Sequence, residues 1–480
     1  MMKSLVRAIV ALTTTLNLAA SAEKPNIIVI FADDLGYADL AAQGQEKDLY
    51  TPNLDRMAAE GVRCTAGYAT APQCSPSRAG LLTGRYQQRV GIDTIPDLPL
   101  ANEEVLIPEM LKPAGYTNAM VGKWHLEPNH ICRDWIAKHL PKAKPDKRGF
   151  IAIPFGKKIP YLPESQGFDH YFCGEMNHYR ANFTRDGEVC EPTHLKEEGF
   201  RIDIQSDAAV AFVDQHHDKP FFLYLSYYAP HTPLVLPAPY AERFSEDMPL
   251  RRRAALAMIH GLDHGVGRIL EALERHGIDN NTLVIFTSDN GAPVHKRRDS
   301  PLDTDMGGWD GSLNTPWIGE KGMLSEGGIR VPYIVRWPDK LPAGKVYPHP
   351  VSTLDIAATA RSVAGLPSDP GLDGVDLMPL LGKGMAPERA LYWRFWKQIA
   401  VRDGRWKYLN VNKQAEFLFD LEDPAHEERN LAETKPEVLK RLREKATSWA
   451  AELKPPGVPH GKADREEVEW YREYFDIKLK

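Results

Sequence analysis

The sequence predicts an α/β protein: a large, mixed but mostly parallel sheet sandwiched by helices, then a smaller C-terminal antiparallel sheet with a helix. Three observations predict it. Four apolar, β-rich runs at 27–31, 118–121, 221–225 and 283–286 show almost no polar alternation, as strands buried on both faces require. Helical stretches, such as 51–60 and 251–276, lie between them. After Met385 the pattern changes to short strands at close spacing, separated by turn residues.

The chain begins with a segment unlike the rest. Lys3 and Arg7 precede an apolar stretch from 8 to 18, and Ala20-Ser21-Ala22 fits a small-residue cleavage site. This is the pattern of a secretory signal peptide over 1–22, cleaved near Ala22, which implies a secreted or periplasmic protein. No later run reaches the roughly 18 apolar residues of a membrane span. The 480 residues are 43% hydrophobic and 26% charged, with a net charge of −6, an ordinary globular composition. No global basic excess, CxxC pair or basic helical region argues for nucleic acid.

Each apolar run ends in polar residues suited to chemistry. The first leads to Asp33-Asp34 and the second to Gly122-Lys123-Trp124-His125. The third leads to Ala229-Pro230-His231-Thr232-Pro233 and the fourth to Asp289-Asn290-Gly291. Taken singly, each reads equally as a turn or a solvated loop. In open α/β sheets, however, ligands gather beyond the carboxyl ends of the strands, so all four sets are expected in one cleft. Asp33, Asp34, Asp289 and Asn290 then form an oxygen-only ligand set, which suits calcium or magnesium rather than zinc. Calcium is expected, because it tolerates irregular, high coordination with few waters; magnesium is the alternative. Cys74 lies in Gln73-Cys74-Ser75-Pro76-Ser77-Arg78, where Ser75 and Pro76 read as N-cap and first helical residue. A helix mouth with Arg78 one turn on favours an anion at Cys74. The plain alternative is a buried or helix-capping cysteine.

Taken together, these motifs resemble those of the type I sulfatases. The resemblance rests on Cys-x-Pro-x-Arg at Cys74, continued by Leu81-Leu82-Thr83-Gly84-Arg85, and on 26–36, Thr51-Pro52-Asn53-Leu54-Asp55, Gly122-Lys123-Trp124-His125-Leu126, Pro230-His231-Thr232-Pro233, Ser288-Asp289-Asn290-Gly291 and 321–332. They occur in the family's order and cover 24 to about 430. The resemblance implies a fold similar to alkaline phosphatase, and oxidation of Cys74 by a maturation enzyme to formylglycine, whose hydrated aldehyde is the nucleophile. It also implies one calcium ion held by Asp33, Asp34, Asp289, Asn290 and the modified Cys74. Arg78 would steady the nucleophile, Lys123 and Lys321 would clamp the sulfate, His125 would act as base, and His231 would protonate the leaving alcohol. The implied substrate is a sulfated carbohydrate or polysaccharide. Small aryl sulfates, or phosphate and phosphonate monoesters, are the alternatives. A non-catalytic sulfated-glycan-binding protein should have lost the nucleophile or its partners, and all six side chains are present.

With Cys74 consumed by oxidation, four cysteines remain. Cys173 and Cys190 flank a polar segment and are one candidate pair for a bridge, with the pairing of Cys132, Cys173 and Cys190 left open; Cys64 reads as a buried strand residue. The expected division is a catalytic domain over 23–385 and a C-terminal α+β subdomain with tail over 386–480. The latter has strands near 391–395, 399–402, 406–410 and 417–421, a turn at Asp403-Gly404, and an amphipathic helix over 436–453. In the polar tail, Trp470, Tyr471, Tyr474 and Phe475 are candidate docking aromatics. Candidate sugar contacts are His178, Tyr179, Arg180, Asn182, His295 and Trp309. The cluster Lys296-Arg297-Arg298 reads as an attractor for a polyanion or as a solvated loop.

Overall fold

The strand Asn26–Asp33 lies at the centre of the sheet, and all eight of its residues are buried. Ile27, Val29 and Phe31 join one apolar layer and Ile28, Ile30 and Ala32 the other, the two-residue period of a strand. The computed structural model describes residues 24–94, 98–147, 149–294, 302, 309–456 and 463–477. The leader 1–22, His295 and Lys296-Arg297-Arg298 lie outside the described residues.

The sheet has ten strands. Thr282–Ser288 and Phe221–Pro230 flank the central strand, both parallel to it. Thr117–Gly122 and His170–Glu175 extend this parallel block. The four apolar runs are therefore four adjacent strands pointing the same way, with their carboxyl ends on one edge. Outside the block, His178–Phe183 and Val189–Lys196 run antiparallel on one side. Tyr333–Arg336 is antiparallel on the other, followed by Val62–Cys64 and Lys345–Tyr347. A small three-stranded sheet joins Arg330–Val331, Gly67–Tyr68 and Val351–Ser352.

Helices cover both faces because both are largely apolar. On one face, Leu54 and Met57 of Pro52–Glu60, Phe212 of Arg201–His216, and Ile259, Leu262 and Ile269 of Leu250–Arg275 pack on Ile28 and Ile30. On the other, Leu81 and Leu82 of Cys74–Thr83, Ile356 and Ala360 of Asp355–Val363, and Leu377 and Leu381 of Leu377–Lys383 pack on Ile27, Val29 and Phe31. No helix among the described residues is long and apolar enough to cross a membrane.

All five cysteines are free, so the candidate Cys173–Cys190 bridge is not formed. Cys173 lies on His170–Glu175 and Cys190 on Val189–Lys196, with His178–Phe183 between them. Two strand spacings put their backbones about 9 Å apart or more, beyond the reach of a disulfide. Cys64 is a buried strand residue, as expected.

The C-terminal strands Ala390–Phe395, Gln398–Asp403, Trp406–Val411 and Ala415–Asp420 form a consecutive antiparallel meander. Asp403 pairs with Trp406, so the tight turn falls on Gly404-Arg405, one residue later than expected, with Gly404 at φ +58°. One face packs Val401, Tyr408 and Leu418 on Leu439, Leu442 and Ala446 of the helix Pro436–Ala451. The other packs Trp393, Phe395 and Phe419 on Met323, Leu324 and Ile329, and on Trp470 and Tyr471 of the final helix Ala463–Phe475. The tail aromatics thus dock where Gly322 has φ +99° and a side chain would collide with the Trp470 ring.

A buried ion cluster fastens the C-terminal sheet to the small three-stranded sheet and the short helix Glu326–Ile329 that leads into it. Lys407 Nζ lies 2.8 Å from Glu326 Oε1 and 3.0 Å from Glu427 Oε1. Glu326 Oε2 also accepts from Tyr68 Oη at 2.6 Å and from Arg330 Nη1 at 3.0 Å. Removing the central cation leaves two buried carboxylates facing each other. Lys407→Met is therefore expected to lower unfolding free energy by about 3–5 kcal/mol, measured by denaturant titration; a loss below about 1 kcal/mol would show that the cluster contributes no net stability.

Candidate active site

The site grows from the ends of the four parallel strands. Asp33 is the last residue of its strand, and Asp34 turns the chain out of the sheet at φ 65°, in the left-handed region that Asp tolerates. Its backbone N–H donates to Asp289 Oδ1 at 3.0 Å, and that of Leu35 donates to Ser288 Oγ at 3.0 Å. These bonds bring Asp33, Asp34, Asp289 and Asn290 together, all nearly without exposure.

Cys74 is the first residue of the helix Cys74–Thr83, with Gln73 as N-cap. The helix thus starts two residues earlier than Ser75-Pro76 predicts. Ser75 Oγ is buried without a hydrogen-bond partner instead of capping, and Pro76 sits in the first turn, where no N–H is needed. The Cys74 thiol faces Lys321 Nζ at 3.3 Å and Asp34 Oδ1 at 3.9 Å. Burial pushes it well above the ordinary thiol range, more than Lys123 and Lys321 pull it down. Burial in this setting disfavours the thiolate.

Three cations balance the carboxylates. Arg78, fully buried, donates to Asp289 Oδ2 at 2.8 Å, lies 3.3 Å from Asp33 Oδ1, and donates to Lys123 O at 3.2 Å and to Ser226 Oγ. Lys123 Nζ reaches Asp33 Oδ2 at 2.6 Å and sits 4.7 Å over the Tyr228 ring. Lys321 Nζ donates to both oxygens of Asp34 at 2.7 Å. Burial alone would raise Asp33, but Lys123, Arg78 and Lys321 hold it well below the usual carboxylate range. Asp289 is pushed up to about 7 by burial and by the charge of Asp33.

Both histidines are kept neutral. Burial, with Lys123 and Arg78, holds His125 well below its ordinary value, and its Nδ1 is buried without a partner. Burial and Lys123 bring His231 down to about 4, although Asp33 and Asp34 raise it. His231 Nδ1 lies 2.6 Å from the Thr232 carbonyl, which only accepts, so Nδ1 carries the proton and Nε2, 3.7 Å from Asp34 Oδ2, is bare.

The donor set fits a hard divalent cation. Ligand atoms of Asp33, Asp34, Cys74 and Asp289 all lie within 4.8 Å of one another. Asn290 Oδ1 is a buried oxygen without a hydrogen-bond donor, Asp33 Oδ1 has only the Arg78 ion pair at 3.3 Å, and Asn290 Nδ2 donates to Asp34 at 2.6 Å. Buried oxygens with lone pairs to spare are what an oxygen-liganded cation satisfies.

The candidate sugar contacts fare differently. Tyr179 is buried and stacks on Phe172 at 4.4 Å. Asn182 accepts from Tyr171 N and donates to Asp169 O, both at 2.9 Å, and the Trp309 indole donates to Ser312 O at 2.8 Å. These contacts tie all three side chains to the fold, Tyr179 and Trp309 in buried positions and Asn182 in a partly exposed one. His178 is exposed, and Arg180 pairs with Glu164 at 3.3 Å.

Two residues at the site escape the sequence reading. Ser226 braces Arg78; a lone serine inside the apolar run 221–228 was the available signal. Arg201 donates to the carbonyls of Tyr228 at 3.3 Å, His231 at 3.0 Å and Pro233 at 2.6 Å, tying down the loop that carries His231. Nothing in its sequence context marks it.

A buried carboxylate cluster, three cations and two neutral histidines at the carboxyl edge of a parallel sheet define a hydrolase site for a tetrahedral oxyanion ester. The sequence comparisons make the class specific. The family model described as Sulfatase matches residues 25–366, and one described as N-sulphoglucosamine sulphohydrolase, C-terminal, matches 316–452. N-acetylgalactosamine-6-sulfatase of Mus musculus is 36% identical, covering 81% of this chain and 72% of its own. Arylsulfatase H of Homo sapiens is 32% identical, covering 75% and 72%. The crystal structure of Ps i-CgsB with k-i-k-neocarrahexaose superposes with a TM-score of 0.74 at 30% identity, covering 93% of this chain and 97% of that one. The chain belongs to the sulfatase family and is a sulfuric ester hydrolase.

Arg201→Met keeps the apolar stem but removes the three carbonyl bonds. It is expected to lower sulfate-ester turnover by about tenfold to a hundredfold, the scale of a misplaced catalytic group, with faster amide exchange at His231 and Thr232. Unchanged turnover would show that the loop holds itself.

Proposed function

We propose that the protein removes O-sulfate from a carbohydrate, using formylglycine made from Cys74 and one calcium ion. The observation that carries this reading is the placement of Cys74, a buried thiol 3.3 Å from Lys321 Nζ and among the carboxylates of Asp33, Asp34 and Asp289. An inert thiol in so charged a setting makes sense as the precursor of another group. The sugar substrate is supported by a relative named N-acetylgalactosamine-6-sulfatase and by a structural neighbour complexed with k-i-k-neocarrahexaose. The likeness to an arylsulfatase supports small aryl sulfates as a second substrate class.

Asp33, Asp34, Asp289 and Asn290, with residue 74, would hold the calcium. When bound, calcium supplies charge to the sulfate oxygens and acidifies a neighbouring hydroxyl, and formylglycine supplies that hydroxyl as nucleophile. The remaining work belongs to the chain's own side chains. Lys123 and Lys321 bind the non-bridging sulfate oxygens; Arg78, buried behind them, fixes Asp33 and Asp289 and supplies fixed positive charge. His125, neutral in the free site, accepts a proton. His231 presents Nε2 to the bridging oxygen; the negative charge of an incoming sulfate favours uptake of a solvent proton at Nε2, and that proton passes to the leaving alcohol. The N-terminal leader pattern supports an exported protein, secreted or periplasmic, that meets its maturation enzyme on the way.

Active protein is expected to carry a residue 74 lighter than cysteine by about 18 Da, the exchange of SH and H for a carbonyl oxygen, in mass spectra of the peptide spanning it. Chelation should abolish turnover of that species and calcium restore it. Full activity with only unmodified Cys74, or in metal-free protein, would overturn the assignment.

The two histidines separate on a leaving-group series. His231→Ala should cost about 10²–10⁴-fold on sugar sulfates, whose alkoxides need a proton, and far less on nitrophenyl sulfate. His125→Ala should lower the maximal rate by a factor that does not depend on the alcohol. Equal losses across the series for His231→Ala would make it a sulfate-binding residue.

A further inference from the structure

The segment 129–161 leaves the site directly after Lys123-Trp124-His125 and differs in charge from the rest of the molecule. It carries eight basic residues against two acidic ones, in a chain whose net charge is −6. Lys142, Lys144, Lys147 and Lys157 are exposed, and none forms an ion pair among the described residues. Large apolar side chains are interleaved with them: Phe150 is 46% exposed and Phe155 38%. Isolated exposed aromatics are ordinary, but two within one unpaired basic strip are not.

The strip is anchored to the site. Trp124, between Lys123 and His125, donates its indole N–H to Tyr161 O at 2.8 Å, and Trp135 donates to Tyr161 Oη at 2.9 Å. Trp135, Cys132 and Ile136 form a small buried cluster under the strip. The base is therefore fixed beside the catalytic lysine while the rim faces solvent.

We propose that this strip binds the continuing chain of a sulfated polysaccharide whose cleaved sulfate lies in the active site. The proposal rests on the carbohydrate-sulfatase reading and narrows it from a sugar sulfate to a polyanionic chain. Unpaired lysines complement sulfates spaced along such a polymer, and aromatic rings accept the apolar C–H faces of its sugars. The partner is a sulfated glycan rather than a membrane or nucleic acid because the strip continues from the residues that would clamp the sulfate ester.

The test compares wild type with Lys142→Glu/Lys144→Glu/Lys147→Glu and with Phe150→Ala/Phe155→Ala, all at exposed positions outside the catalytic machinery. Affinity electrophoresis through gels containing dextran sulfate, neutral dextran or inorganic polyphosphate reads binding without turnover. Wild type should be retarded by dextran sulfate in a salt-dependent way and not by neutral dextran. The lysine variant should bind about tenfold or more weakly, with kcat/KM on nitrophenyl sulfate unchanged and lost only on polymeric substrate. Equal retardation of the lysine variant would overturn the proposal. So would polyphosphate binding as tight as dextran sulfate binding together with indifference to the Phe changes, which would make the strip a general anion patch. Retardation of a wild type that hydrolyses no sulfate ester would refute the carbohydrate-sulfatase reading while leaving the polyanion surface standing.

Discussion

The interaction on which the rest depends is the crowding of three carboxylates, Asp33, Asp34 and Asp289, in a space without solvent. Two unit charges about 4 Å apart repel by about 4 kcal/mol at an effective dielectric of about 20, and here three share one pocket. Arg78 spans Asp33 and Asp289, Lys123 sits on Asp33, and Lys321 takes both oxygens of Asp34. The opposing directions at Asp33 and Asp289 are the signature of this balance, since the carboxylate with more cations stays charged and the other is driven toward its proton.

Such crowding is possible only because the fold brings distant segments to one edge. Parallel register aligns Ile28 with Leu223 on one side and Val284 on the other, so the strands run out together. The antiparallel C-terminal sheet contributes no ligand, yet it is not peripheral. Gln398 accepts from Leu324 N and donates to Gly322 O, fixing the backbone beside Lys321. The second layer of the molecule therefore holds one of the site's cations in register with a strand end built from a different part of the chain.

The central strands and the convergence of their ends were legible in the sequence because both follow from one-dimensional pattern: unbroken apolar runs, then charge. What pattern could not supply was direction and partnership. Ser75 looks like a cap but buries its hydroxyl, since Gln73 already occupies the extended position before the helix. Cys173 and Cys190 are close in sequence but one strand too far apart in the sheet. Tyr179 and Trp309 carry the right chemistry for a sugar and are buried within the fold. Arg201 binds three carbonyls of one loop, a role that depends wholly on tertiary placement.

The burial of Cys74 also limits when during synthesis another protein can reach the thiol. At 1% exposure in the folded protein, the thiol is closed to any enzyme that must grip the surrounding chain. Its pocket is completed by Lys321, whose neighbour Gly322 lies under Trp470, ten residues from the end of the chain. At 5–20 residues per second, the ribosome needs about 20–80 s to travel from residue 74 to that last helix. During that interval the cysteine has been made but the walls that seal it have not, and the length of the chain itself keeps the window open.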